Sequence, residues 1–153
     1  MENEIDNFLS IRVYLTNKGY LVIEETEALV SIHVNGGSGM LSEEMSHEQA
    51  ILEVNLAAVR QIERELHLRA IGGIIVVNFI NMNEGHKRML CEEVKNYVEE
   101  DQSHITFSSC LNIEHGLMEM TRQQACPNPS TIRSTEGEAR KYFAQKWVAY
   151  VQK

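Results

Sequence analysis

The 153-residue chain contains no hydrophobic run that approaches a membrane span; stretches such as Ile74-Ile75-Val76-Val77 are far shorter than the roughly 20 residues a spanning helix needs. Its acidic opening, Met1-Glu2-Asn3-Glu4-Ile5-Asp6, has neither the cationic start and apolar run of a secretory signal nor the arginine-rich composition of a transit peptide. A soluble protein is expected, with no membrane partner. Cysteine is scarce: Cys91, Cys110 and Cys126 form no CxxC pair. Such a set excludes a disulfide framework and points to free thiols in a reducing compartment. Proline occurs twice, at 127 and 129, so only that stretch is barred from helix and sheet interiors. Positive charge is also in deficit. Fourteen Lys and Arg stand against 22 Asp and Glu, a formal charge of −8, so any contact with nucleic acid has to come from a local patch against a repelling overall field.

What the chain does have is a 43% hydrophobic content, enough for one compact domain. Ile5, Phe8 and Leu9 suit a helical turn. Ile11, Val13 and Leu15 then alternate as in a half-buried strand, ended by the turn residues Asn17-Lys18-Gly19. Runs at 20–23 and 28–34 flank Glu24-Glu25-Thr26-Glu27, the pattern of a hairpin with a four-residue connection. In the second run Val30, Ile32 and Val34 share a core-directed face, while Ser31, His33 and Asn35 share the other and lead into Gly36-Gly37-Ser38-Gly39. That glycine loop lets backbone amides approach a phosphate, but it has no Walker lysine and opens onto no helix.

Ser46-His47-Glu48-Gln49 fits a capping box, followed by a helical stripe through Ile51, Val54, Ala58, Ile62 and Leu66 to about residue 68. Gly72-Gly73 is expected to end that helix. Ile74-Ile75-Val76-Val77 reads as a strand covered on both faces, with Asn78 where it emerges. A second amphipathic helix is expected from about Gly85, with Leu90, Val94, Tyr97 and Val98 on one face. Ile105 and Phe107, and then 117–120, suit short strands. A loop through Cys126, Pro127 and Pro129 precedes a second capping box at 135–138 and a helix carrying Ala139, Phe143, Trp147, Tyr150 and Val151.

The run from Gly19 to Ile32 (Gly-Tyr-Leu-Val-Ile-Glu-Glu-Thr-Glu-Ala-Leu-Val-Ser-Ile) resembles the ribonuclease E/G family, especially its cyanobacterial and chloroplast branch. Further blocks follow in the same order: Val34-Asn35-Gly36-Gly37, Asn55-Leu56-Ala57-Ala58 with Gln61-Ile62, Leu68-Arg69, Gly72-Gly73-Ile74-Ile75-Val76-Val77 and Gly116-Leu117-Met118-Glu119-Met120-Thr121-Arg122. The resemblance covers about residues 11–124 and does not extend over 125–153. It implies two regions: a ribonuclease E/G-type catalytic subdomain over 1–124, and a diverged loop and C-terminal helix over 125–153. The fold implied is α/β (α+β), a mixed sheet flanked by helices of deoxyribonuclease-I-like type.

The resemblance also implies a site. Such enzymes hold a catalytic Mg²⁺ on two strand-end aspartates, in motifs S-I-D-x-N and V-D-F-I-D-M. Here the corresponding runs are Ser31-Ile32-His33-Val34-Asn35 and Val77-Asn78-Phe79-Ile80-Asn81-Met82, so both ligand positions, His33 and Asn78, lack a carboxylate. Mg²⁺ favours hard oxygen ligands, usually including carboxylates, whereas imidazole suits transition metals. The candidate catalytic positions are therefore His33, Asn35 and Asn78, with His33 and Asn78 at the family's metal positions. Candidate RNA contacts are Asn35, Gly36, Gly37 and Arg122, with Arg133, Arg140, Lys141 and Lys146 as further cations. An Arg-Asp pair expected at 69–70 is Arg69-Ala70, and Cys126-Pro127-Asn128-Pro129 only partly matches the family's zinc-linking C-P-x-C, so no zinc site is expected.

Three functions follow from this pattern. The first is an RNA-processing-type domain that contacts single-stranded RNA, not DNA, without cutting it. The second is an active metal-dependent endoribonuclease in which Glu24, Glu27 or Glu119 replaces the missing ligands, or His33 serves as a general base. The third is an interaction module that docks on a full-length ribonuclease E/G subunit. The plant-type resemblance favours a plastid, and the absence of a transit-like start favours the cytoplasm.

Overall fold

A computed structural model describes residues 10–38, 45–100, 105–107 and 115–123. The turn at Ile5, Phe8 and Leu9, residue Gly39, Cys110, Cys126 and the whole of the expected C-terminal helix with its cations lie outside the described residues.

The alternating runs near the start form an antiparallel meander of β1 (Arg12–Tyr14), β2 (Tyr20–Glu25) and β3 (Val30–Asn35). Between β1 and β2, Lys18 takes a left-handed conformation at φ 69 and the Leu15 N–H donates to the Gly19 carbonyl at 2.8 Å. Ile11 does not share the half-buried pattern expected of it and stands 59% exposed just ahead of β1. The β2–β3 connection has the expected four residues but lies two positions later, at 26–29. Thr26 closes it there, its N–H and hydroxyl donating to the Leu29 carbonyl at 2.9 and 2.8 Å, so Glu24 and Glu25 stay in the ladder.

From β3 the chain passes through α1 (His47–Leu68) to β4 (Gly73–Asn78), which pairs parallel to β3. It continues through α2 (Glu84–Glu100) and β5 (Ile105–Phe107) to β6 (Leu117–Arg122), which lies antiparallel between β4 and β5. Among the described residues the result is an open six-stranded mixed sheet in the order β1-β2-β3-β4-β6-β5 with two helices, an α+β fold as the resemblance implies.

The core lies on one side of this sheet. Leu21, Ile23, Val30, Ile32, Val34, Ile75, Val77, Met118 and Met120 point into it, against Val54, Ala58, Ile62 and Leu66 of α1 and Leu90 and Val94 of α2. Each fully buried aliphatic side chain stabilises the fold by about 1.5–3 kcal/mol. Because both described helices cover this same face, β4 is not buried on both sides as its apolar run predicts. Ile74 is 52% exposed and Val76 half-buried on the opposite, outer face.

Local chemistry sets the ends of α1. Ser46 and Gln49 form the expected reciprocal capping box. The helix stops before Gly72-Gly73, with Arg69 as its C-cap and Ala70 in the left-handed region at φ 51. There the Ile71 N–H returns to the Leu66 carbonyl at 3.0 Å and the Ala70 N–H to the His67 carbonyl at 3.2 Å, satisfying carbonyls that the helix leaves unpaired. A left-handed alanine is strained by roughly 1–2 kcal/mol, a cost that glycine avoids at some loss of unfolded-state restriction. Ala70→Gly is expected to stabilise the fold by about 0.5–1 kcal/mol, read as a raised urea midpoint at unchanged slope.

Candidate functional site

The parallel pairing of β3 and β4 builds the candidate site. His33 is the register partner of Asn78, so the two backbones lie one strand spacing apart, about 4.8 Å. Both residues are exposed, and both stand on the outer face because their neighbours Ile32, Val34 and Val77 face the core. Along the sheet the row reads Arg12, Val22, His33, Asn78, Leu117. Two positions carrying different side chains from those the family motif expects are thus side by side, although 45 residues separate them in sequence.

Asn35 lies two residues beyond His33 on the same face and begins the turn that leaves β3. Its Oδ1 accepts the Gly37 N–H at 2.9 Å. Gly37 has φ 67, and a Cβ there would stand 2.4 Å from the Lys18 carbonyl oxygen, so the glycine is required where this loop crosses the β1–β2 turn. Gly36 is buried and the Gly37 amide is already bonded, so neither offers the open amide cradle that the glycine-rich run suggests.

The β4 end of the site is held from two sides. Asn55, fully buried on α1, donates through Nδ2 to the Ile80 carbonyl at 2.9 Å and accepts the Ile80 N–H on Oδ1 at 3.1 Å. On the other side the Phe79 N–H donates to the Gly116 carbonyl at 2.7 Å. Gly116 has φ 77, and an added Cβ would meet the Phe79 carbonyl oxygen at 2.4 Å. Asn55 has no role in the sequence reading, yet a signal was there: residues 51, 55, 58 and 62 form one helical row, and an asparagine within it must find buried polar partners.

Arg122 does not join the site. Its register partner is Gly73, whereas Asn78 pairs with Leu117, which puts Arg122 about 17 Å along the strand from that pairing. Its side chain turns to the core face and is 5% exposed, donating through Nη1 to the Ile71 and Leu66 carbonyls at 2.7 and 3.3 Å. The expected RNA contact is therefore corrected to a structural one: the guanidinium ties β6 to the end of α1. Arg69 is likewise buried, in an ion pair with Glu65 at 2.7 Å and a hydrogen bond donated to the Ser10 carbonyl at 2.9 Å.

The possible substitute ligands are dispersed. Glu24 pairs with Ser31 and Glu119 with Val76, one row away from His33 and Asn78 and separated from each other by two intervening strands. Glu27 lies in the connection at the opposite end of β3. No group of three or more His, Cys, Asp or Glu among the described residues is placed to hold a metal ion.

The model of the ribonuclease E/G family matches residues 1–125. The chain belongs to the ribonuclease E/G family. It is 58% identical over 129 residues to the ribonuclease E/G-like protein, chloroplastic, of Arabidopsis thaliana, covering 84% of this chain and 13% of that protein. With ribonuclease G of Escherichia coli (strain K12) it shares 34% identity over 125 residues, 81% of this chain and 25% of the relative. With ribonuclease E of Buchnera aphidicola subsp. Schizaphis graminum the figures are 32% over 151 residues, 89% and 15%. This ribonuclease E/G chain thus spans a quarter or less of the length of these relatives. Among its described residues no helix is long and apolar enough to cross a membrane.

Two substitutions separate site geometry from scaffold. Asn55→Ala removes both bonds to the half-buried Ile80 N–H and carbonyl and leaves a cavity at a fully buried helix position, an expected loss of about 1–3 kcal/mol in chemical denaturation. Arg122→Met is expected to lower stability by about 2–4 kcal/mol, chiefly because the Ile71 carbonyl loses its guanidinium donor while the Leu66 carbonyl keeps the Ile71 N–H; RNA affinity measured well below the melting temperature is expected to stay as in the native chain.

Proposed function

We propose that this ribonuclease E/G chain contacts single-stranded RNA at the outer end of β3 and β4 and does not cleave it. The observation that carries the reading is the juxtaposition of His33 and Asn78 where the family motif has two aspartates. In the family, Mg²⁺ stabilises charge and activates water at such a phosphodiester. The residues at these positions do not fit that ion. His33 offers an imidazole nitrogen, Asn78 a neutral amide oxygen, and the Asn35 oxygen already accepts the Gly37 N–H. None of the three carries the negative charge that a hard divalent cation requires.

The same residues suit a phosphate better than a cation. The His33 ring and the Asn35 and Asn78 amides carry N–H groups that can donate hydrogen bonds. Neutral donors on an exposed strand end give modest affinity, consistent with a chain of net charge −8. The plastid is the compartment favoured by the 58% identity to a protein named as chloroplastic.

The test compares the native chain with the His33→Asp/Asn78→Asp double variant on a 5′-monophosphorylated single-stranded RNA in Mg²⁺. The native chain is expected to bind without cutting and to show no Mg²⁺-dependent rise in melting temperature. The double variant is expected to gain that thermal shift, since only a ligand that binds the folded state raises it, together with chelator-sensitive cleavage. Equal Mg²⁺-dependent cleavage by both proteins would overturn the proposal.

A further inference from the structure

The outer face carries an aromatic and cationic cluster beside the candidate site. Tyr14 on the edge strand β1 is 69% exposed, the most open of the large hydrophobic side chains on the described surface. Its ring centroid lies 6.1 Å from that of Tyr20 at an interplanar angle of 58°. The Arg12 guanidinium sits 4.5 Å from the Tyr20 ring centroid, in cation–π contact. Register continues this cluster directly into the site: Tyr14 pairs with Tyr20 and Tyr20 with Asn35, while Arg12 pairs with Val22 and Val22 with His33. Tyr20 is therefore one strand from the site and Tyr14 two, about 5 and 10 Å away across the sheet.

We infer that Tyr14, Tyr20 and Arg12 form a stacking platform for unpaired RNA bases whose backbone runs past His33, Asn35 and Asn78. The inference rests on the RNA-contacting reading above and adds to it the part of the nucleotide that would be recognised. Base–aromatic stacking on a sheet face needs flat rings open to solvent with room for a second plane, and a guanidinium beside them adds a cation–π term. Tyr14 supplies the open ring, and Tyr20 with Arg12 supplies a ring already stacked on a cation. Charge supports RNA over a protein partner here. Arg12 and, in the adjoining turn, Lys18 bring positive charge to this corner of an acidic chain, and past Val22 the rows reach polar His33, Asn35 and Asn78. Stacking is tolerant of base identity, so the platform is expected to accept any unpaired base.

The experiment uses the full chain and a fluorescein-labelled 12-nucleotide oligouridylate, with anisotropy read at low salt and folding checked by circular dichroism. Tyr14 is exposed, so Tyr14→Ala is expected to fold as the native chain and to weaken binding by roughly 5- to 100-fold. Tyr14→Phe is expected to bind as the native chain does, because it keeps the ring. An abasic strand of the same length is expected to bind as weakly to the native chain as the oligouridylate does to Tyr14→Ala. If the oligouridylate binds native chain and Tyr14→Ala equally, or the abasic strand binds the native chain as well as the oligouridylate, the platform is refuted while RNA contact stands. A change in sedimentation on Tyr14→Ala with RNA affinity unaltered would assign the face to a protein contact and refute it likewise. If the native chain binds neither strand, the RNA-contacting reading falls and the platform with it.

Discussion

The parallel ladder between β3 and β4 is the constraint on which the rest of the molecule depends. It is the one parallel pairing among the described strands, and such a pairing needs a crossover, which α1 provides. The crossover is fixed at both ends. Ser46 and Gln49 satisfy amides at its start, and at its finish Arg122 and the Ile71 N–H both donate to the Leu66 carbonyl while the Ala70 N–H donates to that of His67. With α1 so anchored, Val54, Ala58 and Ile62 join the core under the sheet, and Asn55 clamps the chain just past Asn78. The adjacency of His33 and Asn78 is a consequence of this register, since a slip of one residue would turn one of the two into the core.

The parts legible in the sequence are those determined by near neighbours. Val30, Ile32 and Val34 alternate with Ser31, His33 and Asn35, and the structure places the two sets on opposite faces as that period requires. The Ser46–Gln49 box and the α1 stripe are also local, spanning a few turns. The resemblance supplied the mixed sheet, in which His33 and Asn78 are register partners, a pairing no local pattern could give. What escaped was set by distant partners. Arg122 reads as an RNA-contacting cation at the end of the Gly116–Arg122 run, but carbonyls 51 and 56 residues away accept from it. The apolar run of β4 gives no hint that one face is left open, because that depends on both described helices packing on the same side. Helix α1 ends at a left-handed alanine instead of the glycine pair two residues on, where geometry and tertiary contacts override the usual residue preference.

The sheet divides its labour by face. The inner face is aliphatic and is stabilised by burial. The outer face carries imidazole, amide, tyrosine and guanidinium groups in register, with partial apolar interruption by Val22, Val76 and Leu117. Polar and aromatic side chains on a rigid strand keep fixed spacings, so a flexible polymer lying across them meets its contacts at little ordering cost to the protein. The turn at Asn35 and Gly37 has the same effect at the strand end, holding the backbone in one conformation through a side-chain bond and a close glycine approach.

The two outermost described strands, β1 and β5, are only three residues long. An open sheet leaves unsatisfied amides and carbonyls along its borders, and long, flat borders of this kind template assembly between molecules. Here each border presents about 10 Å of ladder, and on β1 it is further guarded by the bulky, charged Arg12. Brevity at the margins thus lets a sheet whose outer face no described helix covers avoid offering neighbouring copies a long strand on which to zip into fibres.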